Sequence, residues 1–211
     1  MGKITYIIGR AYSFLTKRLS DYFWQHYLVS YCCARKEITV AEPETLRFSG
    51  KTLLAVSAGS SVRIGKDVVI NSTHHTVSPT LSKISVGGGS LTIGDHAGIS
   101  STVIICKENI KIGNYVNIGA GCLILDTNMH STDWRIRANR KNDNPGKAIK
   151  APIVIGDYAF IGARCIINKG VTIGEKSMIA AGSVVVKDIP PNCLAGGNPC
   201  KIIKYLSEPL E

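Results

Sequence analysis

A branched aliphatic residue recurs at every sixth position through much of this chain. The beat is regular towards the C-terminus, at Ile155, Ile161, Ile167, Ile173, Ile179 and Val185. An upstream run slips by one residue in its middle, and reads Ile93, Ile99, Ile105, Ile112, Ile118 and Ile124. Ile64 and Ile70 form an earlier copy. A period of six fits neither a helix nor a simple alternating strand, so it indicates an internal repeat.

A second and smaller position lies two residues before most of these aliphatics. It is occupied by Ala97, Val103, Val116, Cys122, Ala159, Cys165, Val171, Ser177 and Ser183. Each six-residue unit, or hexad, would therefore turn one large and one small side chain inward. Three hexads make one triangular coil of about 18 residues, and stacked coils are parallel strands roughly 4.8 Å apart. The pattern predicts a parallel β-helix of about six coils between residues 50 and 190.

Glycine follows three of the large residues of the C-terminal run, at Gly156, Gly162 and Gly174, and Asn71 and Asn168 occupy the same place in their hexads. We interpret these positions as corners with positive φ, which glycine and asparagine adopt most readily. The spacing does not set the handedness of the coil. Parallel crossovers are normally right-handed, so a left-handed coil could be inferred only from resemblance to a family.

Three segments follow from where the repeat runs and where it stops. Residues 1–40 read as an amphipathic helical segment, because apolar residues share one broad face. Residues 41–195 form the β-helix, which residues 127–152 interrupt as a polar, protruding loop. Residues 196–211 read as a turn and a short helix. Residues 71–90 also break the rhythm and predict an irregular turn.

Charge changes the picture in two of these segments. The chain carries a net charge of +10, and residues 1–37 and 127–152 each hold six basic and two acidic side chains. The basic helical segment would either pack on the prism or a neighbouring subunit, or lie on an anionic membrane surface. No base-reading module accompanies the charge, so nucleic-acid binding is not expected.

Cysteine usage and hydropathy point to the cytoplasm. The seven cysteines form no C-x-x-C pair and are odd in number, which is typical of reduced thiols, and no metal site is expected. Basic residues interrupt the N-terminal apolar run, and no apolar stretch of about 20 residues could span a bilayer. We therefore expect a cytoplasmic protein, at the inner face of the membrane if residues 1–37 bind lipid.

His130 is the candidate catalytic residue. It lies at the root of the 127–152 loop, between Asp126 and Asp133, either of which could fix its tautomer. Imidazole titrates near neutrality, so it is a natural general base for a hydroxyl group. Asn128 is a further neighbour that could orient the ring or contact an acceptor.

The motifs of the C-terminal half resemble those of a known family. They are Ile155–Ala163, Gly170–Gly174, Ala181–Pro191 and Gly197–Pro199, within a similarity that covers about residues 60–205. The chain resembles the hexapeptide-repeat acyltransferases, and within them the maltose/galactoside and polysaccharide O-acetyltransferase group. This resemblance implies a left-handed β-helix, a homotrimer, and acetyl-CoA bound in the groove between neighbouring prisms.

The resemblance also implies roles for individual residues. His130 matches the catalytic base of the family. The residues that match positions along the acetyl-CoA site are Gly162, Ala163, Ala181, Val186, Lys187, Lys201 and Lys204. Val186 replaces a threonine, and the last two lysines stand where relatives often have arginine. Ser100 replaces an asparagine that contacts the acceptor in the maltose-type enzymes, which implies a different acceptor.

These features together predict an acetyl-CoA-dependent O-acetyltransferase. His130 would deprotonate a saccharide hydroxyl, and the basic segments favour an acidic surface polysaccharide as the acceptor. Two alternatives are enzymes. The first is an N-acetyltransferase acting on an amino-sugar nucleotide, or a xenobiotic or serine acetyltransferase; the second is a zinc hydratase with three convergent histidines. The third is a non-catalytic scaffold built on the same prism.

Overall fold

The computed structural model describes the backbone of residues 2–72, 81–139, 141–144 and 147–206, with side chains from residue 18 onward. A single helix, α1 (Gly2–Ala34), precedes a column of short strands. The part of the predicted apolar face that falls in residues 1–17 lies outside the described side chains.

Six complete coils of three strands follow α1. Coil by coil, the strands are β1 Ile38–Val40, β2 Arg47–Ser49, β3 Leu53–Val56; β4 Ser61–Ile64, β5 Val69–Asn71, β6 Lys83–Val86; β7 Ser90–Ile93, β8 Gly98–Ser100, β9 Val103–Cys106; β10 Asn109–Ile112, β11 Asn117–Ile118, β12 Leu123–Leu125; β13 Ile153–Ile155, β14 Phe160–Ile161, β15 Ile166–Asn168; β16 Thr172–Ile173, β17 Met178–Ile179 and β18 Val184–Val185. A short helix, α2 (Trp134–Arg137), lies between β12 and β13. β19 (Cys193–Gly196) and β20 (Lys201–Tyr205) end the described chain.

Every third strand pairs with its equivalent in the next coil, which creates three sheets. Sheet I runs β1-β4-β7-β10-β13-β16, sheet II runs β2-β5-β8-β11-β14-β17-β19-β20, and sheet III runs β3-β6-β9-β12-β15-β18. All of these pairs are parallel except β19–β20. The corners between sheets are called I/II, II/III and III/I below. The predicted parallel β-helix is confirmed.

The core is a set of stacked aliphatic columns inside the prism. In sheet I, Ile93, Ile112, Ile155 and Ile173 lie in register, and none is more than 1% exposed. Fully burying such a side chain contributes about 1.5–3 kcal/mol, so the repeat supplies most of the stabilisation of the column.

The phase slip of the repeat lies earlier than the spacing predicted. Ile104 and Cys106 are fully buried, whereas Val103 and Ile105 are only half-buried. The extra residue falls at the II/III corner, where Ser101 is buried and has a φ of 41°. The prediction that Val103 and Ile105 fill the inward positions was therefore wrong.

The glycines after the large residues serve a different purpose from the predicted one. Neither Gly156 nor Asn168 has a positive φ; the left-handed residues come two places after such glycines, at Tyr158 and Lys176. A Cβ on Gly156 would lie 2.6 Å from the backbone nitrogen of Glu175 in the next coil. Glycine is needed here because adjacent coils approach too closely for any side chain.

The left-handed residues of the I/II corner form an aromatic ladder on the outside of the prism. The rings of His96 and Tyr115 stack with centroids 4.5 Å apart, and those of Tyr115 and Tyr158 with centroids 5.0 Å apart.

The predicted irregular turn of residues 71–90 is only partly irregular, because β6 lies within it. Residues 73–80 of this turn lie outside the described residues.

Helix α1 packs across the first coil of the prism. Leu28 and Cys32 are almost fully buried and join the core. The Gln25 side chain donates to the Leu46 carbonyl at 2.7 Å and accepts from the Phe48 amide, so it covers two backbone groups of the first coil. No helix of the described chain is long and apolar enough to cross a membrane.

The predicted C-terminal helix was wrong. Residues 201–205 form β20, which turns back and pairs antiparallel with β19 over the last coil. Its five residues are all exposed. The apolar positions at Ile202 and Ile203 fit a helix face, but sheet II offers unpaired backbone groups at its last strand, and pairing with them satisfies more of the backbone.

Candidate active site

The 127–152 insertion leaves the prism at the III/I corner and has an ordered base. Thr127 and Lys150 form an antiparallel bridge, the Asn128 amide donates to the Ile149 carbonyl at 3.0 Å, and the Ala151 amide donates to the backbone carbonyl of Asp126 at 3.0 Å. These contacts hold the two ends of the insertion together. His130 follows these paired residues, so its backbone position is fixed by the contacts between the two ends of the insertion.

His130 is hydrogen-bonded to a carboxylate inside the insertion. Its Nδ1 lies 2.7 Å from Oδ2 of Asp143, and the other oxygen of Asp143 accepts the Ser131 amide at 3.0 Å. The His130 side chain is 61% exposed, whereas that of Asp143 is 10% exposed. A carboxylate on Nδ1 favours the tautomer protonated there, which leaves Nε2 as a proton acceptor facing outward.

The electrostatics of this pair agree with its geometry. The hydrogen bond from the Ser131 amide lowers the pKa of the Asp143 carboxyl, and the bond to His130 lowers it further. Asp143 is therefore ionised at neutral pH and accepts both bonds.

The sequence pointed to the wrong carboxylates. Asp126 is fully buried, and its two oxygens accept the amides of Lys107 and Glu108, each at 2.7 Å. It secures the corner of the preceding coil and does not orient His130. Asp126 is close to His130 in sequence, but its carboxylate makes no hydrogen bond to the ring because both of its oxygens accept other amides.

Asp133 is also engaged elsewhere. It caps the N-terminus of α2 and forms a bidentate pair with Arg135, with N–O distances of 2.9 Å and 2.8 Å. Arg135 lowers the pKa of the Asp133 carboxyl. The Asn128 side chain is exposed beside the base of the insertion. Asp143, which sequence analysis missed, could have been found only as the remaining acid of the insertion.

Ser100 lines a groove on the outer face of sheet II. The groove has a volume of about 320 Å³, and its polar lining residues are Asn71, Ser100 and Asn117, with Phe160 beside them. A Cβ on Gly98 would lie 2.7 Å from Oδ1 of Asn117, so the missing side chain at Gly98 keeps the groove open. This combination of amides, a hydroxyl and an aromatic ring suits a polar ring-shaped ligand.

The II/III corner collects three of the residues matched to the acetyl-CoA site. Gly162, Ala163 and Ala181 lie there on successive coils, and a Cβ on Gly162 would be 2.5 Å from the Ala181 amide. Ala181 is exposed and Ala163 is half-buried. The corner therefore presents a smooth strip on which an extended ligand arm could lie against backbone.

The remaining matched residues are divided between two places. Lys201 and Lys204 are exposed on β20, where they pair with Gly196 and Leu194 at the end of the same corner. Val186 and Lys187 follow β18 and are exposed at the III/I corner, the corner that carries the insertion.

One chain keeps these two halves apart. Ser100 and the Gly162 strip lie at one edge of sheet III, and His130 and Lys187 lie at the other. A hexad of extended chain, about 20 Å long, separates the two edges. The single prism therefore does not bring the candidate base next to the candidate acceptor groove.

The thiols of Cys106 and Cys32 do not supply a nucleophile. Burial raises the pKa of Cys106 to about 12, and burial also raises that of Cys32 to about 12. A thiol with such a pKa is protonated at neutral pH and unreactive. Among the described residues, no group of three or more His, Cys, Asp or Glu side chains could hold a metal ion.

A parallel prism with a histidine-bearing insertion defines a class, the β-helix transferases built on hexapeptide repeats. The sequence model for the hexapeptide repeat of succinyl-transferase matches residues 152–187. A hexapeptide-repeat acetyltransferase from Vibrio cholerae, solved with acetyl-CoA, is 31% identical; the match covers 74% of this chain and 72% of that one, with a TM-score of 0.50. The chain belongs to the hexapeptide-repeat acetyltransferases, and its prism is a left-handed parallel β-helix.

Two further proteins are similar to this chain, one in sequence and one in fold alone. The galactoside O-acetyltransferase of Escherichia coli K12 is 36% identical over 137 residues, which cover 56% of this chain and 64% of the relative. The chain thus spans less than two thirds of that relative's length. AntD, an N-acyltransferase from Bacillus cereus, is 20% identical, covers 77% of this chain and 82% of its own, and has a TM-score of 0.51, so it shares the fold.

Proposed function

We propose that this protein is an acetyl-CoA-dependent O-acetyltransferase that acetylates a hydroxyl group of a saccharide. The observation that carries the proposal is the 2.7 Å contact between His130 Nδ1 and the Asp143 carboxylate. This contact supports the tautomer in which Nε2 would be free to accept a proton. The Escherichia coli relative is named for O-acetylation of galactosides and the Vibrio cholerae structure contains acetyl-CoA, which supports this substrate pair.

The proposed reaction is a direct transfer between two bound substrates. Nε2 of His130 removes the proton of the acceptor hydroxyl while the oxygen attacks the thioester carbonyl. The carbon–oxygen bond forms, the carbon–sulfur bond breaks, and the proton passes from the imidazolium to the departing thiolate. Asp143 stabilises the transient imidazolium, and backbone amides along the cleft stabilise the oxyanion.

We further propose that the active site is shared between subunits of a homotrimer. Contact between the III/I corner of one prism and the II/III corner of its neighbour would bring His130 and Lys187 to the strip at Gly162 and Ala181. Acetyl-CoA would then lie between the prisms, with Lys201 and Lys204 near its phosphates. The groove at Ser100 would hold the acceptor.

An acidic polysaccharide or its lipid-linked precursor is the acceptor that the charge favours. The insertion carries a net charge of +4, and an anionic chain would approach it favourably. We propose that the enzyme works in the cytoplasm, where residues 1–37 bring it to the inner face of the membrane. An acceptor KM that rises with salt concentration is expected, whereas a KM independent of ionic strength would argue against an anionic acceptor.

The decisive variant is His130→Ala. Loss of a general base lowers the rate by about 10²- to 10⁴-fold, so thiol release from acetyl-CoA with a panel of glycans should fall by that factor. The variant should keep the sedimentation mass of the wild type and its acetyl-CoA affinity by calorimetry. Product mass spectrometry distinguishes an ester from an amide.

His96→Ala is the matched control. His96 also faces a carboxylate, with Nδ1 3.4 Å from Asp67, but it lies on the I/II corner. The control should keep its rate. A His130→Ala enzyme that retains its rate, or one that no longer folds, contradicts the proposed role; reactions without acceptor correct for the protein's own thiols.

A further inference from the structure

Helix α1 is apolar on two faces. One face packs on the prism through Trp24, Leu28, Tyr31 and Cys32. A second face is formed by Leu19, Tyr22, Phe23 and Tyr27, which recur at helical spacing. These four side chains are 68%, 64%, 57% and 51% exposed. A helix with one solvated face would carry polar residues here, so this second face calls for a partner.

The exposed face continues onto the prism. A cleft of about 250 Å³ separates α1 from β3 and is lined by Trp24, Tyr27 and Leu53 among others. Leu53 is 45% exposed at its rim. Lys51 lies at the same cleft, with its Nζ 5.5 Å from the centroid of the Trp24 ring. The surface is thus an aromatic and aliphatic band with a cation at its edge.

Charge decides between partners. Residues 1–37 hold six basic and two acidic side chains, and one acid, Glu37, pairs with Arg35 at 3.0 Å. Arg18, which precedes Leu19 in the chain, and Lys36, which lies two residues after the end of α1, are both exposed. Two copies of this segment would each carry +4 and repel each other, whereas an anionic lipid surface would attract it.

We propose that the exposed face of α1 docks on an anionic lipid bilayer. Leu19, Tyr22, Phe23 and Tyr27 insert at headgroup depth, where aromatic side chains are favoured. Arg18 and Lys51 face the lipid phosphates. The helix spans 33 residues, or about 50 Å, and lies in the plane of the interface. This proposal concerns a surface remote from His130, and it stands or falls independently of the proposed reaction.

Vesicle sedimentation of the full chain tests the docking. The protein should bind vesicles of phosphatidylcholine mixed with phosphatidylglycerol, release them as salt rises, and bind vesicles of phosphatidylcholine alone at least about fivefold more weakly. The salt titration uses the wild type, so it does not depend on how any variant folds.

Two pairs of stacked rings provide matched variants. Phe23 and Tyr27 stack on α1 with centroids 5.9 Å apart, and Tyr115 and Tyr158 stack on the I/II corner with centroids 5.0 Å apart. Replacing Phe23 and Tyr27 by serine should weaken vesicle binding by about tenfold or more, because two inserted rings are lost. The same replacement of Tyr115 and Tyr158 should leave binding unchanged.

A charge pair completes the test. Arg18→Gln should weaken binding by about fivefold, and Lys111→Gln, which removes an exposed cation of sheet I, should not. Thermal melts report whether each variant folds. The proposal is overturned if the wild type does not bind anionic vesicles, or if the two double variants lose vesicle binding to the same extent. It is also overturned if replacing Phe23 and Tyr27 lowers the oligomeric state measured by analytical ultracentrifugation, because that face would then join copies of the chain.

Discussion

The Asp143→Asn variant tests whether the structure has identified the correct carboxylate. Asparagine keeps the size of the side chain, but its amide group can donate to Nδ1 of His130. That bond favours the tautomer protonated on Nε2, which cannot accept a proton. The negative charge that would stabilise the imidazolium is also lost.

The size of the effect follows from the freedom of the ring. An unrestrained imidazole has about six rotamers and two tautomers, so roughly one state in twelve is productive. This sets a loss in kcat of about tenfold. The ring itself is still present, so the loss should stay below about 10²-fold, the lower end of the general-base contribution. The expected range is therefore about 10- to 100-fold, with the KM for acetyl-CoA unchanged.

Asp133→Asn provides the control in the same insertion. Asparagine remains a good N-cap for α2, so the variant removes only the charge paired with Arg135. Both variants are assayed by thiol release at saturating acetyl-CoA. If Asp143→Asn retains the full rate, or if Asp133→Asn loses as much, then the 2.7 Å contact does not orient the catalytic ring.

Two further outcomes are expected from the same structure. Gly156→Ala should lower the free energy of unfolding by about 3 kcal/mol, because its Cβ would lie 2.6 Å from backbone. Gly59→Ala would have no atom within 4 Å of its Cβ, so it should lower the free energy of unfolding by only about 1 kcal/mol, which comes from its positive φ. Urea titrations measure both values. The lowered pKa of Asp143 means that its bonds to Ser131 and His130 are fully present above the ordinary value of 3.8 and are lost as pH falls through the lowered one. The protection factor of the Ser131 amide against exchange should therefore fall in acid in the wild type, whereas in Asp143→Asn, which has no carboxyl group to titrate, it should not change with pH; an acid transition in that variant would contradict the assignment.

The β-helix was predictable because the residues that stabilise it recur at a short, regular spacing in the sequence. A large aliphatic in each hexad can be buried only by stacking on its equivalents, so the period dictates the coil. The position of the slip was not predictable in this way, since Ile104, Ile105 and Cys106 are all apolar and only the buried corner at Ser101 decides which of them turns inward.

The candidate site was predictable only in part. His130 stood out because the repeat stops beside it. Its partner did not, because Asp143 reaches it through the fold of the insertion, 13 residues along the chain. Residues near in sequence were preferred, yet Asp126 was already committed to two amides of the preceding coil.

The C-terminal strand was missed for a related reason. Hydropathy from Cys200 to Leu206 fits a helix, but the choice between helix and strand was made by β19, whose free edge lies within reach. Secondary-structure propensity describes what a segment prefers in isolation and takes no account of a neighbouring strand with an unpaired edge.

The two ends of the prism are closed by different elements, and this bears on solubility. A stack of parallel strands is a template for its own extension, because each terminal coil offers a row of amides and carbonyls to any similar coil that arrives. Here α1 contacts β1 and β2 of the first coil, and β20 reverses direction so that sheet II ends in an antiparallel, lysine-bearing border. Repeats of this kind could polymerise end to end into fibres, and α1 and β20 each occupy part of the surface through which such growth would proceed.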